Sequence, residues 1–526
     1  MSPHHSAPAL VIVLFLGIGF PVFAQETPSK TANVGLPKEA GVTRALTPAE
    51  VFVRLRQTKL SDHHLPVPTR PRIEGTRSFT PSRKGAETPV FTTISGEGTR
   101  INFVHPFVRI ENDFSTASVS EPTLAVRGDY VLVTANWFAS ISKDGGKTFQ
   151  HVRPWDVFPE TKAIPFCCDQ VAIYDQRNDL VLWLLQYNFN DDGNILRLAV
   201  AKGRDITDQR WWYYDLDPKS IGNWANQWFD FPNLTVGAEN VYLSSNVYST
   251  RDETNPDGSV KQKTPFQRSV MMRIPLASLA SYKGFTLNYF DTTDYGGLRA
   301  TQGATTSMYF AANADSGSLR VFAWPENSTN LTFTDVKVQD WDQGKAVARC
   351  PDQNDWMNRV DTRITAAWAN QGTIGFAWTA PQDSFFRFPQ VRMVVMRSDR
   401  MTVVAEPIVW NNEFAFALPA VAASPSGDLG ISFHYGGNFL YPSHAVGVLH
   451  PTDRWHSPNW TLHIVAGTVG RHAPPDGDWG DYGAVRTLTT DAETWATVGY
   501  TLQGTQSEVQ LDYVEFKKAP SQGVAP

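Results

Sequence analysis

The sequence predicts an all-β protein whose body is a β-propeller of seven blades, or six if one hairpin is misassigned, behind an irregular N-terminal arm. Three observations carry this. The 526 residues are 12% aromatic and 19% charged, with 37 Gly and 35 Pro, which suits many short strands joined by turns rather than long helices. From about residue 100, a short apolar strand followed by an aromatic-ended strand recurs seven times, and the recurrences are spaced as propeller blades are.

The first pair is EPTLAV from Glu121 with YVLVTANW, followed by CDQVAI from Cys168 with LVLWLLQY and FPNLTV from Phe231 with VYLSSNVY. The others are TTSMYF from Thr305 with LRVFAW, DTRITAA from Asp361 with TIGFAW, LPAVAAS from Leu418 with DLGISFHY, and DYGAVRT from Asp481 with TWATVGY. Equivalent apolar positions, Leu124, Val171, Leu234, Met308, Ile364, Val421 and Ala484, advance by 47, 63, 74, 56, 57 and 63 residues. Each interval holds about four strands of ordinary length plus turns, which is one blade. A β-sandwich would also show short strands, but not seven similar hairpins spread over the chain.

The chain divides into residues 1–24, 25–99, 100–518 and 519–526. The first carries an apolar run from Ala9 to Phe20 followed by Val22-Phe23-Ala24, the pattern of a cleaved signal peptide, with the mature chain beginning near Gln25. The run is shorter than the roughly 20 residues that span a bilayer, so a secreted or periplasmic protein free of the membrane is expected. Residues 25–99, rich in Pro, Ser and Thr, read as an extended arm with one short helix, where Thr47, Pro48 and Glu50 form a capping box before Val51, Phe52 and Leu55. Residues 100–518 are the propeller and 519–526 a disordered tail. Ring closure is expected between Arg100–Val104 and Val509–Val514.

A net charge of −6 gives no electrostatic footprint for nucleic acid. Three cysteines, Cys167, Cys168 and Cys350, are too few for a disulfide scaffold and lack the spacing of a zinc site. A bridge to Cys350, a bridge between the adjacent Cys167 and Cys168, and buried free thiols all remain open.

The first hairpin is followed by Ser142-Lys143-Asp144-Gly145-Gly146-Lys147-Thr148-Phe149, an S-x-D-x-G-x-x-[WF] pattern. Asp144 can accept from amides of its own turn, the glycines allow positive φ, and Phe149 plugs the blade edge. With this Asp-box (BNR repeat), the chain resembles the secreted sialidase-like superfamily of propellers, over roughly residues 100–518. The resemblance implies a glycan-active protein. Sialidases open their first inner strand with [FY]-R-I-P. Here Arg273-Ile274-Pro275 falls late in the third unit, on an outer strand by the repeat register, so its role is not carried over. No tyrosine nucleophile is assigned by motif.

In a propeller, the start of each innermost strand and the end of the second share the face that binds ligands. The starts give Glu121, Cys168 with Asp169, Asp230, Thr305, Asp361 with Arg363, Leu418, and Asp481 with Tyr482. The ends give Asn136 with Trp137, Gln186, Tyr248, Trp324, Trp378, His434 with Tyr435, and Tyr500. Converging acids push one another's pKa values apart, as glycosidic cleavage requires. Candidate catalytic residues are therefore Asp361, Glu121, Asp481, Asp230, Tyr482 and His434. Candidate substrate contacts are Arg363, Arg359, Trp137, Trp378, Asp169, Gln186 and Tyr435. Acids at strand starts also cap backbone amides, and strand-end aromatics also fill the space between blades. Arg359, Asp361 and Arg363 alternate, so an extended segment presents all three to one side. The loop Asp476-Gly477-Asp478-Trp479-Gly480-Asp481 is an acid/base loop or a structural calcium loop. No cofactor is required.

The leading expectation is an exported glycoside hydrolase, sialidase-like, acting on a terminal or acidic sugar. A polysaccharide lyase with Tyr482 or His434 as base is the first alternative. A non-catalytic propeller that binds glycan or protein is the second.

Overall fold

The computed structural model describes residues 25–42, 90–91, 101–110, 119–159, 164–453, 457–466, 469–474, 477–503 and 508–519. Seven sheets, each of four or more strands, follow one another along the chain, with a two-stranded ribbon inserted in the third. Their inner strands are Thr123–Arg127, Phe166–Asp175, Gln227–Val236, Arg299–Ala300, Ile364–Asn370, Ala415–Ala423 and Val485–Thr487. Each inner strand touches the next and the seventh touches the first, so the ring closes as a seven-bladed propeller.

Closure uses the two expected strands in a shifted register: Ile101, Asn102 and Phe103 face Lys518, Lys517 and Phe516, while Leu511 to Tyr513 face Ile110 to Val108. The outermost strand of the last blade is Ile101–Ile110, antiparallel to Val509–Lys518. Strands from the two ends of the propeller thus share one sheet, which joins the last blade to the start of the chain's propeller.

Two expectations need correction. The hairpin assigned as the inner pair of the fourth blade is its second and third strands, Ser307–Asp315 and Ser318–Pro325. The true inner strand pairs over Arg299–Ala300 alone, between Gly297 at φ +67° and Gly303 at φ +82°, too short a stretch to show alternation. Thr305 and Trp324 are therefore displaced from the channel. The arm is also more than a linker. Gln25–Pro28, Lys30–Val34 and Lys38–Val42 add fifth strands to the outer edges of blades four, three and two. Val90–Phe91 pairs parallel to Ile408–Trp410 in blade five. Edge pairing uses backbone groups, so it leaves little apolar trace; in Lys30–Val34 only Ala32 is buried. The signal-peptide region and the helix expected at residues 47–55 lie outside the described residues, as do residues 520–526 of the tail. Among the described residues no helix is long and apolar enough to cross a membrane.

Large aromatics fill the wedges between blades, among them Trp183, Trp211, Trp324, Trp368, Trp378 and Trp495, all under 2% exposed. The turn after Ser142 is tied as its residues predict. Asp144 Oδ1 accepts from the amides of Lys147 (3.1 Å) and Thr148 (2.9 Å), and Ser142 Oγ accepts from the amide of Gly146 (2.8 Å). Gly146, at φ +86°, lies where a Cβ would meet the Tyr513 ring at 2.2 Å. Phe149 packs edge-on against that same ring, sealing blade one to blade seven. Arg273 lies on the third strand of blade three, as the register required. Its guanidinium covers Trp324 and donates to the carbonyls of Pro325 (3.0 Å) and Ser328 (2.7 Å).

Candidate active site: an acid ring at the channel mouth

Inner strands enter the channel through a repeated distortion. Glu121, Cys168, Phe231 and Leu418 all have φ between 52° and 55°, and the pairing register slips next to the last three. A non-glycine residue held there costs of order 1–3 kcal/mol, and such strain gathers at sites where side chains must be aimed. Here the distortion recurs at equivalent places on four blades, and it brings Glu121, Asp169 and Asp230 to one mouth.

Glu121 is 1% exposed; its Oε1 accepts from the Asp481 amide at 3.0 Å, and Asn136 Nδ2 donates to Oε2 at 3.4 Å. Burial, and then the charge of Asp481, raise its pKa to about 7. Asp169 is hydrogen-bonded to Glu121, and burial together with the charges of Glu121, Asp230 and Asp481 holds it well above the carboxylate range. The two behave as a proton-sharing pair. Asp230 accepts from Gln186 Nε2 at 3.0 Å and is also raised by burial.

Blades five and seven present the opposite environment. Arg363 Nε lies 2.8 Å from Asp361 Oδ2, and its Nη2 lies 3.4 Å from Asp481 Oδ1. Arg359 Nη2 donates to Asp481 Oδ2 at 3.2 Å. Arg363 lies over Phe231, its Cζ 4.0 Å from the ring centroid, and Phe231 meets Tyr482 edge-on at 5.6 Å. Arg359, Asp361 and Arg363 do come together around Asp481, but through a turn and a bend rather than the extended segment expected. Gly480 allows the close packing, since a Cβ there would sit 3.0 Å from both Glu121 Cγ and the Tyr500 hydroxyl oxygen.

The adjacent cysteines are bridged to each other, and Cys350 is a buried free thiol. Gln186 Nε2 also approaches Cys168 Sγ at 3.8 Å, so one amide links the bridge to Asp230.

Of the sequence candidates, Glu121, Asp169, Gln186, Asp230, Arg359, Asp361, Arg363 and Asp481 come together. Tyr482 sits beneath them, 2% exposed, with its hydroxyl unpartnered among the described residues and its pKa raised by burial and by Asp169 and Glu121. Trp137 is half-buried at the turn beside Asn136. His434 is set apart, enclosed by the rings of Trp479, Tyr500 and His444, and burial holds it neutral. Tyr435 packs into the core against Phe414, and Trp378 is buried against Trp341, filling the space between blades rather than walling the mouth. Asp476 lies outside the described residues, and the Asp481 carboxylate is engaged by two guanidinium groups. Among the described residues no cluster of His, Cys, Asp and Glu is arranged to hold a metal ion.

The sequence reading missed two cations deeper in the channel, Arg299 and Arg486, which burial lowers to about 10 and about 9. Arg486 donates to Gln302 Oε1 at 2.5 Å. Arg299 was hidden by the two-residue inner strand, and Arg486 lies inside a strand whose pattern otherwise looks apolar.

No protein-family model matches the chain, and no curated protein matches it in sequence. Several solved structures share its chain path. An α-L-arabinofuranosidase from Fusarium graminearum is 10% identical, with a TM-score of 0.40, over 79% of this chain and 98% of that one. A protein of unknown function from Dyadobacter fermentans is 11% identical, with a TM-score of 0.40, over 80% and 99%. An intramolecular trans-sialidase from Ruminococcus gnavus is 9% identical, with a TM-score of 0.36, over 67% and 94%. At such identity these likenesses concern the course of the chain and not its chemistry.

Proposed function

We propose that this protein is an exported glycoside hydrolase acting on a terminal neutral sugar at the channel mouth. One observation carries the reading: Asp230, a carboxyl group whose pKa is raised by burial, shares a mouth with carboxylates paired to guanidinium groups, Asp361 and Asp481. Two acids in opposed environments supply the two roles that glycosidic cleavage needs. Asp230 serves as the proton donor to the leaving oxygen. Asp361, half-buried and beside an open cleft, serves as the base or nucleophile. The Glu121–Asp169 pair stores a proton behind them.

Charge bears on the sugar. Both mouth arginines already hold carboxylates, Arg359 with Asp481 and Arg363 with Asp361 and Asp481, so neither is left to clamp a sialate or uronate. A neutral sugar fits this balance better than an acidic one. The lyase reading lacks a base: His434 is walled off by aromatics, and the Tyr482 hydroxyl is buried with a raised pKa.

The test is turnover on a panel of 4-nitrophenyl glycosides of neutral sugars, with 4-methylumbelliferyl sialate and a 4-nitrophenyl uronide as acidic controls. At least one neutral glycoside should be cleaved, and Asp361→Asn should reduce its kcat about 100- to 10,000-fold with an unchanged Tm. Cleavage of the acidic substrates alone, or full activity in Asp361→Asn, would refute the assignment.

A further inference from the structure

Below the acid ring, one side chain crosses the channel. Arg486, on the inner strand of blade seven, reaches blade four, where its Nη1 donates to Gln302 Oε1 at 2.5 Å, and blade two, where its Nη2 donates to the Ala172 carbonyl at 3.4 Å. Gln302 Nε2 donates in turn to the Val421 carbonyl of blade six at 3.0 Å. One guanidinium and one amide thus tie four blades across the axis. Arg486 and Gln302 are both only partly buried, so solvent reaches this brace.

The brace is cationic, and its own contacts do not balance it. Both hydrogen-bond partners of Arg486 are neutral, and among the described residues no carboxylate forms an ion pair with it. The charged group that acts on it is a second cation, Arg299, on the inner strand of blade four and 8% exposed. With pKa values lowered only to about 9 and about 10, both guanidinium groups keep their protons at neutral pH. The ring acids are engaged one layer above, Asp361 and Asp481 with Arg359 and Arg363, and Asp169 with Glu121. Tyr482 stands between the layers, acted on by Asp169, Glu121 and Asp481 and also by Arg299. Two like charges in a desolvated passage repel each other and lose hydration, and a counter-ion offsets both costs.

We infer that the channel below the acid ring is a binding site for a small monovalent inorganic anion of the chloride kind, held between the guanidinium groups of Arg486 and Arg299. A guanidinium carries five N–H donors, and Arg486 gives one from each terminal nitrogen to Gln302 and Ala172, so each terminal nitrogen has one more to give. The near closure of Arg299 favours a small ion over an organic acid, and a neutral sugar would leave the charge unmet. Neutralising the brace stabilises the ring of blades, and this role is independent of the hydrolase reading.

Scanning calorimetry of the full protein, with sodium gluconate exchanged stepwise for sodium chloride at constant ionic strength, measures binding without requiring turnover. Tm should rise by about 2 °C as chloride reaches about thirtyfold its Kd. Arg486→Met, which keeps a long side chain and removes the charge, should lose most of this dependence, whereas Arg204→Met, at an exposed position, should keep it. Crystals of the wild-type protein grown in sodium bromide should show an anomalous scatterer beside Arg486 and Arg299, a result that does not require Arg486→Met to fold. A Tm indifferent to the exchange, an undiminished dependence in Arg486→Met, or bromide found only at the outer surface would overturn the site and leave the brace to water.

Discussion

Glu121→Gln is the substitution whose effect follows most directly from the acid ring. The Glu121 carboxyl is raised from 4.5 to about 7, chiefly by burial and then by Asp481. Between those values the folded protein binds a proton at this position that the unfolded chain does not. Stability contributed by the protonated form is therefore complete below about pH 4.5 and declines as pH rises toward 7. At 1.36 kcal/mol per unit, the loss reaches about 3 kcal/mol. The substituted amide cannot ionise, its oxygen can still accept from the Asp481 amide, and its nitrogen can donate to Asp169. The variant should escape the decline. With an unfolding entropy of about 2.1 cal/mol/K per residue, 526 residues give about 1.1 kcal/mol/K, so 3 kcal/mol corresponds to roughly 3 °C. Scanning calorimetry at one fixed rate from pH 4.5 to 8 should show Tm of the variant minus Tm of the parent rising by about that amount. A difference that stays flat, or falls as pH rises, would refute the argument that Glu121 is folded with its proton held.

Two further outcomes follow from the fold and the cysteine bridge. A chain ending at Glu508 loses Val509–Lys518, which pairs both Thr494–Leu502 and Ile101–Ile110, and should yield no soluble protein; removing residues 25–42 only bares three blade edges and should lower Tm while leaving a folded, more association-prone product, as expression, calorimetry and gel filtration would show. Cys167→Ser with Cys168→Ser frees the bulge that precedes Asp169 and the sulfur beside Gln186, and should lower kcat about tenfold, or 1.4 kcal/mol of barrier, and move the pH profile, whereas Cys350→Ser should move neither.

Much of this was legible because blades repeat. An acid at the start of an inner strand is visible wherever the strand behind it is long and apolar, as with Glu121 before Leu124 or Asp361 before Ile364. The register then says which face the acid meets. The fourth blade failed that test. Its inner strand pairs over Arg299–Ala300 only, so the hairpin behind it was taken for the inner one and Arg299 was lost from the channel. The arm failed for another reason: Lys30–Val34 docks by backbone hydrogen bonds, which any side chain permits. The strand-end aromatics were placed on the right strands but given the wrong use, because sequence alternation does not separate a side chain that faces the channel from one that fills a wedge. Trp378 against Trp341 and Tyr435 against Phe414 are of the second kind. Pairing of Arg363 with Asp361 and Asp481, which turns the expectation from acidic to neutral sugars, depends on distances across blades that no sequence pattern records.

The central claim is that Asp230 delivers a proton to a glycosidic oxygen. Its most direct test compares wild type and Asp230→Asn on two glycosides of one cleaved sugar, one with a poor leaving group that needs the proton and one, a 2,4-dinitrophenyl glycoside, that departs without it. The account predicts that Asp230→Asn loses about 100- to 10,000-fold in kcat/KM on the first and retains most of its rate on the second. Equal losses on both, or none on either, would contradict it.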